Sequence, residues 1–110
     1  AYERARASIR EANLHSLPFH HRVLYELIRD AGEITGRELN QQYERMEERV
    51  YANRERTPIS RRDRRNKLDK LRAYDLVKRE RLDHRWLYSV VDENLAAPNF
   101  IDLNISAYVA

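Results

Sequence analysis

Several residue types that define a chemistry are scarce or absent in this chain of 110 residues. It has no cysteine, which excludes disulfide bonds, cysteine zinc sites, iron–sulfur clusters and thiolate nucleophiles. Its two glycines, Gly32 and Gly36, are too few for a glycine-rich phosphate loop. No apolar run approaches the roughly 18 residues of a membrane span, and no leader pattern opens the chain. We therefore expect one soluble, cytoplasmic domain without membrane contact. Because the chain begins inside a helical pattern without Met, we expect it to be a module of a longer protein.

Charge is abundant but unevenly distributed. Lys and Arg number 21 and Asp and Glu number 18, which gives a net charge of +3. Residues 53–85 hold 13 basic and 6 acidic side chains, a net of +7, whereas the rest holds 8 basic and 12 acidic ones, a net of −4. Such a basic segment indicates either a surface that contacts phosphate or a solvated helix face, and charge alone does not separate the two.

Apolar residues at helical spacing predict two helices in the first third of the chain. The first covers residues 2–14. The second begins near Pro18, for which Ser16 is the candidate N-cap, and it ends where Gly32 is suited to a C-cap. Its apolar face, with Val23 and Leu24 followed by Leu27 and Ile28, predicts the main core element.

Two further helices follow a short strand at residues 33–35. Thr35 and Glu38 have the spacing of a capping box, so the third helix is expected to run from there to about residue 52. Ser60 is suited to cap a fourth helix over residues 61–74, a segment without Gly, Pro or β-branched residues.

Two extended runs, residues 76–80 and 85–91, come after the fourth helix and predict an antiparallel hairpin whose strands are joined by residues 81–84. The order helix, helix, short strand, helix, helix, hairpin predicts a mainly α fold with a small β-hairpin wing, a winged helix-turn-helix. We divide the chain into a leading helix at residues 1–15, a winged-helix DNA-binding domain at 16–91 and a C-terminal tail at 92–110.

The tail differs in pattern from the rest of the chain. After Pro98, the residues Ile101, Leu103 and Ile105 alternate with polar residues in the period of a half-buried strand. Such a strand would pack on its own domain or pair with a neighbouring molecule. Self-association through the tail is therefore one of two open alternatives.

The fourth helix has two distinct faces. At about 100° per residue, Leu68 and Leu71 define its buried side, and the polar residues opposite them face outward. Arg and Asn bond bidentately to guanine and adenine edges, and the helix N-terminus favours anions. Arg61 and Arg64 fall on the inward side of the first turn and are either phosphate-binding or structural. The hairpin cations either contact DNA or keep an exposed hairpin soluble. We predict base reading by Arg62, Asn66 and Lys70, phosphate contacts by Ser60, Arg61, Arg64, Arg65 and Lys67, and wing contacts by Arg79, Arg81, His84 and Arg85.

Other candidate sites are weaker. His15, His20 and His21 lie close in sequence, but no carboxylate stands at ligand spacing, so we predict helix-junction residues and no metal. Trp86 is expected to anchor a wing strand to the core. No Ser, His and Asp set presents itself, so we predict no catalytic residue, no cofactor in this part of the protein and no enzyme activity.

Three stretches carry a resemblance to a known family. They are residues 14–24, Leu-His-Ser-Leu-Pro-Phe-His-His-Arg-Val-Leu; residues 34–39, Ile-Thr-Gly-Arg-Glu-Leu, with Tyr43; and residues 57–62, Thr-Pro-Ile-Ser-Arg-Arg, continuing through Leu68, Leu71, Leu76 and Val77. Over about residues 5–91 the chain resembles the C-terminal winged-helix domain of archaeal replication initiators, the AAA+ ATPases related to cell division control protein 6 and the largest origin recognition complex subunit. It departs from that family at residues 81–86, where the usual glycine- and arginine-rich wing tip is replaced.

The resemblance implies sequence-directed binding of double-stranded DNA by the C-terminal module of an origin-binding initiator. It also implies an upstream AAA+ module in the same chain, which would use ATP and magnesium, and a DNA-associated location. Two alternatives stay open, because a fold does not fix a function. One is a dimeric winged-helix transcription regulator, and the other is a winged helix whose basic helix contacts an acidic protein.

Overall fold

The computed structural model describes residues 2–52 and 55–94. This part of the chain is mainly helical with a small antiparallel sheet, which confirms the predicted balance of elements. The predicted tail strand around Ile101 lies outside the described residues. The described elements are the helices α1 (Tyr2–His15), α2 (Phe19–Ala31), α3 (Gly36–Val50) and α4 (Arg61–Ala73), and the strands β1 (Glu33–Thr35), β2 (Val77–Leu82) and β3 (Arg85–Val90).

The N-cap residues predicted for α3 and α4 are confirmed. The Thr35 hydroxyl accepts a hydrogen bond from the Glu38 N–H at 3.2 Å and donates one to the Glu38 carboxylate at 2.8 Å. The Ser60 hydroxyl accepts from the Asp63 N–H at 3.2 Å. Each cap satisfies one of the free N–H groups of a first helical turn, and so fixes where the helix begins.

The ends of α2 differ in part from the prediction. The prediction that Ser16 caps α2 is wrong, since its hydroxyl donates to the Asn13 carbonyl in α1 at 3.1 Å. Pro18 occupies the N-cap position instead, without a side-chain bond. The predicted C-cap at Gly32 is confirmed: its φ is +79°, and its N–H bonds to the Ile28 carbonyl at 3.0 Å. A residue with a Cβ would be strained at this φ.

The three strands form an antiparallel sheet in the order β1-β3-β2. The β2–β3 hairpin pairs as far as Leu82 opposite Arg85. Its connection is therefore the two-residue turn Asp83–His84, shorter than the predicted connection at 81–84. Both turn residues have positive φ, 51° and 67°. This is the requirement of a type I′ turn, whose twist matches that of the strands it joins.

The core lies between α2, the inner faces of α3 and α4, and one face of the sheet. Leu24 and Ile28 of α2 are fully buried, as is Leu71 of α4. From β3, Tyr88 and Val90 face this core. Burial of side chains of this size stabilises a fold by about 1.5–3 kcal/mol each. The predicted role of α2 as the main core element is confirmed.

The expectation that Trp86 anchors a strand in this core is wrong. Trp86 lies on the same face of β3 as Tyr88 and Val90, because side chains two residues apart share a face. The hairpin extends past the end of the core, however, and Trp86 remains 36% exposed. It is paired across the hairpin with Arg81.

The first helix is fixed to the turn that follows α4. Leu14 of α1 is fully buried, and the Arg10 guanidinium donates to one carboxylate oxygen of Asp75 from two nitrogens, at 2.9 and 2.7 Å. Asp75 has a φ of 60°, a conformation that Asp tolerates better than most residues. Within residues 2–52 and 55–94, no helix is both long enough and apolar enough to cross a membrane.

Candidate nucleic-acid interface

The outer face of α4 is exposed and basic. Arg62, Asn66 and Lys70, the residues predicted to probe base edges, are all exposed, whereas Leu68 and Leu71 on the opposite side are buried. Neither Arg62 nor Lys70 forms an ion pair with another described residue, although the Lys70 ammonium lies 5.3 Å from the centroid of a tyrosine ring in the turn after α4. These side chains are therefore free to reach an anionic partner.

The acidic residues of α4 do not cancel this charge. The backbone N–H of Asp63 bonds to the N-cap hydroxyl. Its carboxylate lies in the first turn, where a negative charge interacts favourably with the helix dipole. Asp69 lies 3.6 Å from the Arg72 guanidinium on its own helix. Arg65, on the flank of the outer face, is exposed and has no ion pair with a described residue.

Arg61 and Arg64 converge on one carboxylate of α3. The Arg61 guanidinium donates to both oxygens of Glu44, at 3.0 and 3.2 Å, and Arg64 donates to one of them at 3.1 Å. Hydrogen bonds from Arg61 first and Arg64 second lower the pKa of the Glu44 carboxyl. The Arg61 side chain is still 67% exposed, so a phosphate can reach it.

Arg64 has a structural position. It is 5% exposed, donates to the Asn40 side-chain oxygen at 2.9 Å, and lies 4.3 Å above the Tyr43 ring. Of the two alternatives predicted for this residue, the bonds and burial support the structural one. We therefore no longer expect Arg64 to contact phosphate.

A chain of hydroxyl groups fixes the segment that leads into α4. The backbone N–H of Ile59 donates to the Tyr43 hydroxyl at 3.0 Å, which lies 2.7 Å from the Tyr51 hydroxyl. That hydroxyl lies 2.8 Å from Nδ1 of His20. Burial raises the pKa of Tyr51, and burial together with the nearby charge of Lys67 lowers the pKa of His20. In the neutral tautomer whose Nδ1 is unprotonated, His20 accepts from the Tyr51 hydroxyl, and every bond of the series is then directed from Ile59 to α2.

Sequence reasoning missed this series of hydrogen bonds because its members belong to three different elements and no motif joins them. His20 does lie at a helix junction, in the first turn of α2, as predicted. Lys67, predicted to contact phosphate, is half-buried and close enough to His20 to act on its pKa. The hydroxyl of Ser60, in the same predicted set, serves as the N-cap.

Two cations of the β2–β3 hairpin lie over the ring of Trp86. The guanidinium of Arg79 lies 3.9 Å from the centroid of the Trp86 ring and that of Arg81 lies 5.2 Å from it. Arg85 and His84 are exposed at the end of the hairpin. A guanidinium stacked on an indole keeps its charge while losing conformational freedom, so Arg79 and Arg81 are held in place.

A cleft of about 830 Å³ separates the hairpin from the first turns of α3 and α4. It brings together five of the predicted contact residues, whereas Arg62, Asn66 and Lys70 lie outside it on the outer face of α4. Arg37 of α3, which sequence reasoning did not single out, also lines it. The five predicted residues in the cleft are Arg61, Arg64, Arg65, His84 and Arg85.

No cluster of three or more potential metal ligands occurs among residues 2–52 and 55–94. Comparisons of the chain with protein-family models, with curated proteins and with solved structures find no match.

Proposed function

We propose that this chain is a winged-helix domain that binds double-stranded DNA, with α4 as the recognition helix and the β2–β3 hairpin as the wing. The element order supports this proposal, because α3 and α4 are consecutive helices, linked by the hydrogen bonds of Arg61 and Arg64 to α3, and the hairpin follows α4 directly. The sheet order β1-β3-β2 is compatible with it, and strand β2 of the hairpin contacts α4.

The single observation that carries the proposal is the outer face of α4. An α-helix about 10–12 Å in diameter fits a major groove about 12 Å wide, and the side chains on its outward face then meet base edges. Three polar residues of types that bond to bases stand there exposed, and the inward residues of the helix are buried. We assign base contacts to Arg62, Asn66 and Lys70.

We assign phosphate contacts to the side chains on either side of that face. Arg61 and Arg65 come from the first turns of α4, where the N-terminal partial charge also attracts anions. Lys67 extends the set along the helix, and Arg85 with His84 reaches the DNA from the hairpin. Contacts of this kind fix the position of the protein and contribute affinity without reading the sequence.

A narrower proposal is that the domain is the C-terminal module of an origin-binding replication initiator. It rests on the resemblance over residues 5–91 alone. A winged-helix transcription regulator is the competing assignment. A footprint on DNA separates the two, because a dimeric regulator protects palindromic half-sites one helical turn apart and a single module protects one short segment.

The test of DNA binding is a salt titration of the affinity for random duplex DNA. Contacts to about four phosphates predict a slope of log K against log salt near −3.6. Arg65→Gln should reduce the size of this slope by about 0.9, since one phosphate contact is lost. Arg45→Gln, at an exposed position of α3 that lies beside α2, is the matched control and should leave the slope unchanged. Absence of duplex binding at low salt would contradict the proposal and favour an acidic protein partner.

A further inference from the structure

The cleft between the hairpin and the first turns of α3 and α4 suggests a second kind of nucleic-acid contact. We propose that it binds an unpaired nucleotide next to the duplex, with the base against Trp86 and the phosphate on Arg37, the lining arginine to which no duplex contact is assigned. This inference rests on the proposed DNA-binding function and extends it from duplex DNA to a junction of duplex and single strand.

The dimensions of the cleft suit such a ligand. Sites for small molecules span about 300–1,000 Å³, and a cleft of about 830 Å³ falls within that range. The interior of a duplex offers no base face to the cleft, because its bases are stacked on one another and only their edges are exposed in the grooves. An unpaired base has a free π-face, and every base can stack on an aromatic ring.

Trp86 supplies the surface on which a base would stack. Its indole borders the cleft, but Arg79 and Arg81, which lie over the ring, are not among the residues that line the cleft. A part of the indole that the guanidiniums leave uncovered therefore faces the cleft, in keeping with its 36% exposure. The stacked Arg79 guanidinium, 3.9 Å away, also holds the ring in one orientation, which lowers the entropy lost when a base binds.

The charge of the lining is complementary to a phosphate. Five arginines and one glutamate line the cleft. Glu44 neutralises part of the charge of Arg61 and Arg64, but Arg37, Arg65 and Arg85 make no ion pair within the described residues. The one acidic lining residue accepts a hydrogen bond from a threonine hydroxyl. The three unpaired guanidiniums can bind phosphate bidentately.

The test compares three probes: a blunt duplex, the same duplex with a short thymidine overhang on either strand, and the thymidine oligomer alone. Trp86 is the chain's sole tryptophan, so its fluorescence reports on the cleft directly. We expect the overhang duplex to bind about tenfold more tightly than the blunt duplex and to quench Trp86 more strongly, a gain typical of one stacked base.

Variants locate the effect. Trp86→Leu should remove the preference for the overhang and leave the affinity for blunt duplex within about twofold, whereas Trp86→Phe should keep most of the preference because the ring is retained. Circular dichroism of each variant checks that it is folded.

Equal affinity of the wild-type protein for blunt and overhang duplexes would overturn the inference while leaving the proposed function intact. A preference that survives in Trp86→Leu would also overturn it. Failure to bind any of the three probes would refute the proposed function itself.

Discussion

Arg64 and Arg65 are adjacent on α4 and carry the same charge, but we expect their replacement to damage different properties. Arg64 is 5% exposed and bonds to Asn40 and Glu44, while Arg65 is exposed and has no ion pair with a described residue. Methionine is a suitable replacement at both positions, because it keeps an unbranched apolar stem and removes only the charge and the hydrogen bonds.

The cost of Arg64→Met can be worked from its contacts. Hydrogen bonds to charged groups contribute about 1.5–3 kcal/mol, and a largely buried guanidinium over a ring such as Tyr43 contributes about 1–2 kcal/mol. The side-chain entropy that Arg64 loses on burial, up to about 2 kcal/mol, is lost in part by methionine too and offsets only some of this. We therefore expect the free energy of unfolding to fall by about 2–3 kcal/mol, and a surface change at Arg65 to stay within about 0.5 kcal/mol.

Urea denaturation followed by circular dichroism measures the free energy of unfolding of both variants. A salt titration at low temperature measures their DNA binding. With a slope of about 1–3 kcal/mol per M of urea, Arg64→Met should lower the midpoint by about 1–3 M. Arg65→Met should instead reduce the size of the salt slope by about 0.9. The division of roles between the two arginines would be refuted if Arg64→Met unfolded at the wild-type midpoint, or if Arg65→Met lost as much stability as Arg64→Met.

Three further outcomes are expected. Asn66→Ala should cost about 1–3 kcal/mol of DNA-binding free energy at one base pair only, which a panel of single-base duplex variants detects. Replacing Asp83–His84 by Asn-Gly should raise the melting temperature by several degrees, because both positions have positive φ and this pair favours a type I′ turn; an unchanged or lower value in a thermal melt would contradict the turn assignment. Burial, and to a smaller extent the charge of Lys67, lowers the pKa of His20 in the folded protein below its ordinary value of 6.5. Because the unfolded chain then binds the proton more readily than the folded protein, the free energy of unfolding should fall as the pH falls below about 6.5. Urea midpoints at pH 7.5 and 5.5 measure this loss, which His20→Asn should reduce.

The parts of the fold that could be predicted from sequence are those with local causes. The caps at Thr35 and Ser60 could be placed because a hydroxyl and the N–H three residues later are enough to start a helix. The C-cap at Gly32 follows from the ease with which glycine adopts positive φ. In each case the determining contact lies within a few residues along the chain.

The errors arose where a competing residue or a distant element decided the outcome. Ser16 precedes a proline that itself takes the N-cap position, and so its hydroxyl turns back to α1. The two-residue turn at Asp83–His84 was missed because it contains no glycine, which is the usual marker of positive φ. Trp86 has the period of a core residue, and sequence alone does not tell how far a hairpin extends past its core.

The candidate site divides in the same way. The exposed positions of Arg62, Asn66 and Lys70 follow from the helical repeat, once the buried leucines of α4 are identified. The inward position of Arg64 follows from the same repeat, but its structural role does not, because that role depends on Asn40 and Glu44 of another helix. A charged residue of the first turn points into the core only when a neighbouring element offers it partners.

Only three of the thirteen residues of α4, Arg64, Leu68 and Leu71, are buried. The residues that hold this helix in place and the residues that would contact a ligand are therefore almost entirely separate sets. Substitutions on the outer face typically change stability by no more than about 0.5 kcal/mol, so the residues that would contact a ligand can change without loss of the fold. The same separation makes α4 a favourable helix on which to install a new specificity by randomising its outward positions alone.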